Sequence, residues 1–535
     1  MALRNPTRQA KQGAIAPGLD WLEAARPLQQ LMASGGDGRV AVQAQDLRNK
    51  YGCTAFPRPA LLDFGSSTAS SISQPAYEKA LAAQARMWLA GTLNGMQDAF
   101  DDHVEAGRDA LRAHLGVSGA EILFSPSGTD AQLQTLFLVK EILGAPLATI
   151  IVGADQTGSG TVHAACGSHF SDLTARGIDV KKGAPIAGLS ELVRTIFIPF
   201  CDRDGRLRSN MQMDVAVHAA VADAVQRGEK VLLQIMDSSK LGWRAPSAGC
   251  VDSILANWPD QVRVVVDACQ MRVGRPQLRH YLAQGYFVLV TGSKFFAGPA
   301  FSGAVLVPEI QAAAIDHIGA GPQGLGDYST RYDWPRRWPS LRQALPATPN
   351  YGQWLRWEAA LEEIGAYFAV PKDFRDDVLE AFAAKVSRLI EVSPNLSLLA
   401  DRDVALSPAL ADEMRHRTIL SFVTLQNGQP LSWEHSMQLF QALGRDLSNH
   451  FPPDASAADR EIAARICQLG QPVALGYRPG AALRLCASAR LVSNCWARST
   501  VVADALEPVL GDVRAVIEKL DWLIARPALC EGPAR

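Results

Sequence analysis

The stretch that decides the fold runs from residue 264 to residue 307 and reads VVVDACQMRVGRPQLRHYLAQGYFVLVTGSKFFAGPAFSGAVLV. An apolar, β-branched run ends at Asp267, and a second apolar run, 287–290, leads through a short polar turn to Lys294. Apolar runs of this length are typical of strands buried on both faces of a parallel sheet. The pattern therefore predicts Asp267 and Lys294 at one edge of an α/β sheet, where open sheets bind ligands.

A carboxylate and an amine at that edge have a specific chemical use. A carboxylate can hold a pyridinium nitrogen protonated, and a lysine can form a Schiff base with an aldehyde. Pyridoxal 5′-phosphate (PLP) carries both groups, so the two residues predict a PLP site. The plainer alternatives are a strand-end cap for Asp267 and a solvated loop lysine for Lys294.

The sequence resembles the fold-type I PLP-dependent enzymes, specifically the class V aminotransferase and cysteine desulfurase branch. The segment DACQ resembles the branch's Asp-x-x-Gln, and SKFFAGPAFSGAVLV resembles its lysine loop, Gly-Pro pair and Gly-led strand. The resemblance implies an α/β fold: a large domain with a mainly parallel, seven-stranded sheet, followed by a smaller α+β C-terminal domain. We predict an N-terminal arm at 1–60, a large PLP-binding domain at 61–370 and a small domain at 371–535.

Composition excludes several other classes of protein. The 535 residues carry a formal net charge of -2, which does not suggest nucleic acid or an anionic membrane as a partner. The N-terminus has no apolar core of a secretory signal, and no apolar run reaches the roughly 20 residues of a membrane helix. Nine cysteines are scattered without zinc or disulfide spacing, so we expect no metal and a cytoplasmic location.

A turn of small residues, SPSGTDA, lies between a predicted strand at 121–126 and a predicted helix. Backbone N–H groups at such a helix N-terminus can converge on an anion. We therefore predict that Ser127, Gly128 and Thr129 cradle the phosphate, and the turn resembles the family's SGTEA loop. Alternatively, the serine only caps the helix.

Further cofactor contacts are implied by the resemblance. His163 is the candidate to stack on the pyridine ring and shuttle a proton. Alternatively, His163 lies on the helix surface or behind the residues that touch the cofactor, and Thr161 occupies the stacking place. Ser239 stands where relatives carry an Asn near the phenolic oxygen, and the neighbouring Lys240 is interpreted as solvated. The remaining contacts are a donor to the phenolic oxygen and two hydroxyls that reach the phosphate, or else cap the strand end: Gln270, Thr291 and Ser293.

The segment ATPNYG resembles the family's Gly-Thr-Pro-Asn, in which the threonine reaches the phosphate bound by the partner subunit. Thr348 inherits this role by resemblance, which implies a homodimer with shared active sites. The alternative is a simple turn.

Two segments are candidates for contact with the substrate. The first is the small polar loop after LLDFG, in which Ser66, Ser67 and Thr68 face the substrate in one interpretation and cap a helix in the other. The second is GYRPGAALRLC, where Arg484 matches the family's arginine for the substrate α-carboxylate, a pairing that suits the guanidinium fork. Arg490 is the alternative.

The resemblance implies an enzyme that acts on a small α-amino acid through a Lys294 Schiff base, with aminotransferase-type deprotonation at Cα. A Cβ–S lyase or cysteine desulfurase is the alternative, because Cys467 lies 17 residues before Arg484. A non-catalytic binding protein with the same fold is a further alternative. A dinucleotide site is not supported, since GADQTGSGT lacks the G-x-G-x-x-G spacing.

Overall fold

The computed structural model describes residues 19–44, 46–402, 410, 412–451 and 456–531. Part of the predicted arm, 1–18, and short pieces of the predicted small domain lie outside the described residues. The strands are β1 (Leu61–Phe64), β2 (Ala120–Ser125), β3 (Leu147–Val152), β4 (Val193–Ile198), β5 (Lys230–Met236), β6 (Val262–Asp267), β7 (Phe287–Thr291), β8 (Gly303–Pro308), β9 (Leu396–Leu398), β10 (Ile419–Gln426), β11 (Gln429–Pro430), β12 (Ile466–Ala474) and β13 (Ala481–Cys486).

The α-helices in the same ranges are α1 (Leu19–Ala24), α2 (Leu28–Met32), α3 (Gln74–Asn94), α4 (Met96–Leu115), α5 (Gly128–Leu143), α6 (Thr161–Ala164), α7 (Asn210–Gln226), α8 (Ala248–Asn257), α9 (Arg275–Ala283), α10 (Glu309–Ile315), α11 (Pro339–Gln343), α12 (Tyr351–Ala369), α13 (Lys372–Val392), α14 (Trp433–Leu443), α15 (Ala457–Ala464), α16 (Ala489–Arg498) and α17 (Val502–Ile524). No helix in these ranges is long and apolar enough to cross a membrane.

The larger sheet has seven strands in the order β2-β8-β7-β6-β5-β3-β4. Strand β8 runs antiparallel to both of its neighbours, and all other pairs are parallel. The predicted mainly parallel, seven-stranded sheet is therefore confirmed, and with it the α/β class.

The central strands are apolar along their whole length because both faces of the sheet are covered. Successive side chains of a strand point to opposite faces. Val264 and Val266 of β6 accordingly pack in one hydrophobic cluster, while Val265 between them packs in another. Burying one such side chain stabilises the fold by about 1.5–3 kcal/mol. The two cores pack on opposite faces of the sheet and fix where its strand ends lie.

The smaller sheet has six strands, in the order β1-β12-β13-β10-β11 with β9 paired to β10. Its helices include α13, α14 and α17, and it forms the α+β part of the molecule. Strand β1, which the prediction placed in the large domain, pairs in parallel with β12. The polar loop after β1 is thereby held against the small sheet and above the edge of the large one.

Residues 28–40 of the predicted arm are tied to the body by one buried cation. The guanidinium of Arg356, on α12, donates to the carbonyl oxygens of Phe301, Met32, Ser34 and Gly35 at 2.5–2.9 Å. Arg356 is 1% exposed, so these carbonyls take the place of water around its charge. The arm is part of the folded body at these residues.

Candidate active site

One cavity of about 360 Å³ opens at the carboxyl ends of the large sheet. Strand β6 ends there at Asp267, which pairs in register with Met236 of β5 and Leu289 of β7. The turn after β7 brings Lys294 to the same space. Eleven of the predicted site residues line this cavity: Ser67, Thr68, Ser127, Gly128, Thr129, Asp267, Gln270, Thr291, Ser293, Lys294 and Arg484.

Asp267 faces the cavity from the end of its strand. The backbone N–H of Cys269 donates to Oδ1 at 3.2 Å, and the amide of Gln234 donates to Oδ2 at 3.3 Å. Burial raises the pKa of this carboxyl, and the hydrogen bond from Cys269 partly opposes the rise. A cationic N–H in the cavity would stabilise the ionised form and reverse the shift.

Lys294 lies across the cavity from the polar loop after β1. Its ammonium donates to the backbone oxygen of Thr68, and Nζ lies 6.0 Å from the ring centroid of Tyr51. Burial, followed by the charge of Arg484, lowers the pKa of Lys294 to about 8. An amine with this pKa is available in its neutral, nucleophilic form at mildly alkaline pH.

Ser127 caps helix α5, as the plainer alternative for this turn predicted. Its Oγ accepts from the N–H groups of Thr129 and Asp130 at 3.2 and 3.3 Å, and donates to the Asp130 carboxylate at 2.5 Å. Capping does not remove the turn from the cavity, since Ser127, Gly128 and Thr129 all line it. The amino end of α5 therefore directs its positive dipole into this space.

Arg39, from the arm, stands beside this turn. Its Nη2 lies 3.4 Å from Ser127 Oγ. The Asp37 carboxylate holds the guanidinium in a fork, with N–O distances of 2.6–3.0 Å, and the Phe301 ring lies 5.3 Å away. Sequence reasoning missed Arg39 and Tyr51, because no motif links the arm to a turn almost 90 residues later.

The three remaining predicted cofactor contacts lie on the cavity wall. Gln270 donates to the backbone oxygen of Ser67 at 3.0 Å, and its own Oε1 is buried without a partner. Thr291 donates to the backbone oxygen of Cys269 at 2.7 Å, which is the strand-end role of the plainer alternative. Ser293 lines the cavity next to Lys294.

Arg484 lies on β13 and is 1% exposed. Its guanidinium donates to the Lys240 backbone oxygen at 3.2 Å, to Thr68 Oγ1 at 3.1 Å and to the Gln471 backbone oxygen. Among the described residues it has no acidic partner, and its Nε is buried without a hydrogen bond. Burial lowers the pKa of Arg484 to about 10.

The alternative, Arg490, is committed elsewhere. Its Nε donates to the Glu363 carboxylate at 2.8 Å, and its other nitrogens donate to the backbone oxygens of Ser71 and Ala297. This arginine therefore has a structural role, and Arg484 is the one that faces the cavity.

The structure does not bring His163 into the cavity. Helix α6 places Thr161 on the cavity wall and His163 near Gly183. Residues two apart on a helix point about 200° apart, so only one of them can face the cavity. The prediction that places His163 at the cavity is wrong by two helical positions, and Thr161, its alternative, lines the cavity.

Ser239 is also outside the cavity. Its buried hydroxyl accepts from the N–H groups of Leu241 and Trp243 at 3.2 and 3.1 Å and so closes its own loop. The loop instead directs Lys240 into the cavity, where the prediction had a solvated lysine. Short polar side chains often hydrogen-bond to nearby backbone groups, and here these local bonds engage the Ser239 hydroxyl.

Thr348 lies outside the cavity of its own chain, in the segment before α12. Asn350 caps that helix, with Oδ1 accepting from the N–H of Gln353 at 3.0 Å. The segment is thus a helix-initiating turn within the chain. Contact of Thr348 with a partner subunit stays a prediction.

Cys467 is not placed for thiol chemistry in this cavity. It lies within β12 and is 1% exposed, and burial raises its pKa to about 11. Cys269 does line the cavity, but burial and then the charge of Asp267 raise its pKa well above the usual range for a thiol. Both residues are thiols and not thiolates at neutral pH.

Fold and cavity together define a class: an α/β protein with an acid, a lysine and a helix N-terminus around one cavity. No protein-family model matches the chain, and no curated protein matches it. Similar solved structures include a NifS-like protein, 14% identical, with a TM-score of 0.48 over 86% of this chain and 99% of that chain.

Two other solved structures are similar at the same level. The cysteine desulfurase CsdA from Escherichia coli is 13% identical, with a TM-score of 0.48 over 87% of this chain and 96% of that chain. Mouse CSAD in its apo form is 14% identical, with a TM-score of 0.47 over 85% of this chain and 83% of that chain. Identities this low say nothing about substrate or reaction.

Proposed function

We propose that the chain is a PLP-dependent enzyme that acts on an α-amino acid. One observation carries the proposal: Asp267 and Lys294 open onto the same cavity, together with the amino end of α5. These are the three groups that a pyridine nitrogen, an aldehyde and a phosphate require. A cavity of about 360 Å³ is within the size range of small-molecule sites.

The cavity wall suits such a group in two further respects. Gly128 leaves room where a side chain would not fit, since a Cβ there would lie 2.6 Å from Cys269 Sγ. Gln132 is 1% exposed and lines the cavity, yet neither of its amide atoms has a hydrogen-bond partner in the protein. A buried amide without partners is costly, and a polar ligand would satisfy it.

The residues would divide the binding of PLP among them. Lys294 would hold the aldehyde carbon and Asp267 the ring N–H. Ser127, Gly128, Thr129 and Arg39 would surround the phosphate. PLP, when bound, supplies an electron sink next to the Cα of an amino acid.

The protein's own contribution is to bind, orient and move a proton. The Asp267 carboxylate would keep the nitrogen of a bound pyridine ring protonated. Arg484 would fix the α-carboxylate of the substrate and so select the bond at Cα that is broken. Lys294, with a pKa lowered to about 8, could take a proton from Cα and return it at mildly alkaline pH. We propose aminotransferase-type chemistry for this sequence of steps.

A Cβ–S lyase or cysteine desulfurase is the second candidate reaction, since the same groups would labilise Cα–H in either case. The buried setting of Cys467 does not favour a persulfide carrier at that position. Assay of sulfide or persulfide release from L-cysteine, with a Cys467→Ser variant as control, distinguishes the two reactions.

Spectroscopy of the purified protein tests the proposal. We expect a visible absorbance band after incubation with PLP, and a change of that band when amino acids are added. The Lys294→Ala variant should lose the band and at least about 100-fold of the activity, because the nucleophile and proton carrier is gone. Lys181→Ala, at an exposed position, is the matched control. A Lys294→Ala protein with full activity would contradict the proposal and restore the alternative of a binding protein.

A further inference from the structure

The cavity has an excess of positive charge. Among the described residues, one acidic side chain, Asp267, lines it. Five basic side chains line it as well: Arg39, Lys50, Lys240, Lys294 and Arg484. Buried charges without partners are costly, so an excess of one sign indicates the charge of the ligand.

Three of these cations are already accounted for. Arg39 is paired with Asp37 and faces the turn proposed for the phosphate. Lys294 is assigned to the aldehyde. Lys50 is exposed at the rim of the cavity, where water screens its charge. Lys240 and Arg484 remain.

These two cations are neighbours. Arg484 donates to the backbone oxygen of Lys240 at 3.2 Å. In the part of the chain that the structure describes, neither makes an ion pair within 4 Å, and the Lys240 ammonium makes no hydrogen bond. The contrast is with half-buried Arg490 and buried Arg375, which are paired with glutamates.

A second observation marks the same place as a binding point. Ser67 is 2% exposed, and its Oγ has no hydrogen-bond partner; the same is true of Arg484 Nε. A Cβ on Gly470 would lie 2.5 Å from Ser67 Oγ and 2.7 Å from Arg484 Nε. The two unpaired atoms therefore flank one glycine, which keeps the space between them open.

We infer that the substrate is an α-amino acid whose side chain carries a second anionic group, with Arg484 on the α-carboxylate and Lys240 on the side-chain anion. A neutral amino acid would offer one carboxylate to two unpaired cations. A side-chain carboxylate or a comparable anion satisfies both. The inference rests on the proposed function and names its substrate class.

Electrostatics supports this assignment. Burial, and then the charge of Arg484, lowers the pKa of Lys240 to about 8, with Asp267 opposing the shift. The ammonium is therefore still mostly protonated at pH 7, and a bound anion would stabilise that form further. The groups that bear on Lys240 are thus two cations, Arg484 and Lys294, and one carboxylate, Asp267.

Matched amino acids test the inference on the PLP-loaded, full-length enzyme. The change in visible absorbance is titrated with L-aspartate, L-asparagine, L-glutamate and L-glutamine. We expect at least one acid to bind about 10- to 100-fold more tightly than its amide. In Lys240→Met this preference should fall below about 3-fold, through weaker binding of the acid with the amide unchanged. Lys50→Met, which alters the rim of the same cavity, should keep the preference.

Each other outcome overturns the inference in a recognisable way. Equal binding of acids and amides by the unaltered enzyme would mean that no second anion is recognised. If Lys240→Met weakens acids and amides equally, both cations grip one carboxylate. If it weakens the binding of PLP itself on the high-pH plateau, where Lys294 is neutral, Lys240 serves the cofactor. Absence of any PLP band in the unaltered protein would instead contradict the proposed function itself.

Discussion

The two ends of the cavity are built in different ways. The end proposed for PLP is formed by strand ends of the large sheet, by the amino end of α5 and by Arg39 of the arm. Its charges have partners: Asp267 accepts two hydrogen bonds, and Arg39 is held by Asp37. The end proposed for the substrate is assembled from loops and the smaller sheet, and its cations, Lys240 and Arg484, lack acidic partners among the described residues. Where the charged side chains already have partners, the site is formed before the ligand binds. Where the cations lack partners, the ligand supplies the missing negative charge.

The variant expected to have the largest effect is at Arg484, at the end of the cavity proposed for the substrate. We expect Arg484→Met to lower kcat/KM for the amino-acid substrate by about 100- to 1,000-fold, because two charge-assisted hydrogen bonds to the carboxylate are lost. The dissociation constant of PLP, measured from visible absorbance, should stay within about 3-fold.

Arg203→Met, in an exposed loop, is the control for loss of a surface charge. Equal losses in substrate turnover and in PLP affinity would show that the two ends are not independent.

The reciprocal variant is at Arg39, at the end of the cavity proposed for PLP. We expect Arg39→Met to weaken PLP binding about 10-fold, because a charge-assisted contact with the phosphate is lost at the amino end of α5. Inorganic phosphate should also compete less well with PLP in this variant. The KM for the amino acid in the fully loaded enzyme should not change.

Arg26→Met, from the same arm but exposed, is the matched control. A raised KM with unchanged PLP affinity would move Arg39 to the substrate end and contradict the division described above.

A smaller effect is expected on the pH dependence of PLP association, and it tests whether the two ends of the cavity interact. The rate of PLP association should rise with pH and reach half its maximum near pH 8, because only the neutral amine of Lys294 attacks an aldehyde and its pKa is lowered to about 8. Lys240→Met should move this midpoint to higher pH, since removing a nearby cation lets Lys294 keep its proton more easily. Stopped-flow absorbance between pH 6 and about 9.5 measures both. A midpoint that does not move would mean that the two lysines are too far apart to interact.

The difference between the two ends also separates what the sequence could predict from what it could not. Asp267, Lys294 and the turn at 127–129 follow apolar strands directly, so their meeting at one sheet edge is dictated by local pattern and by the geometry of parallel strands. The seven-stranded sheet follows from the same apolar runs.

The errors and omissions fall where position depends on loop conformation. His163 and Thr161 differ by half a helical turn, which no sequence pattern resolves across the long turn after β3. Ser239 and Lys240 exchanged their expected roles because the serine hydroxyl closes the loop. Arg39 reaches the cavity only because Arg356 holds the arm, more than 300 residues away in sequence. Contacts of that range leave no periodic signal.

The anchoring of the arm by Arg356 has a consequence for the order of events on the ribosome. Met32 is translated 324 residues before Arg356, whose guanidinium donates to the Met32 backbone oxygen. At about 5–20 residues per second, the arm waits roughly 16 to 65 s for its anchor. Residues 28–40 are thus translated before α12 but placed only after it, and a nascent chain stalled before α12 should leave these residues open to protease while the strands that precede α12 are already collapsing.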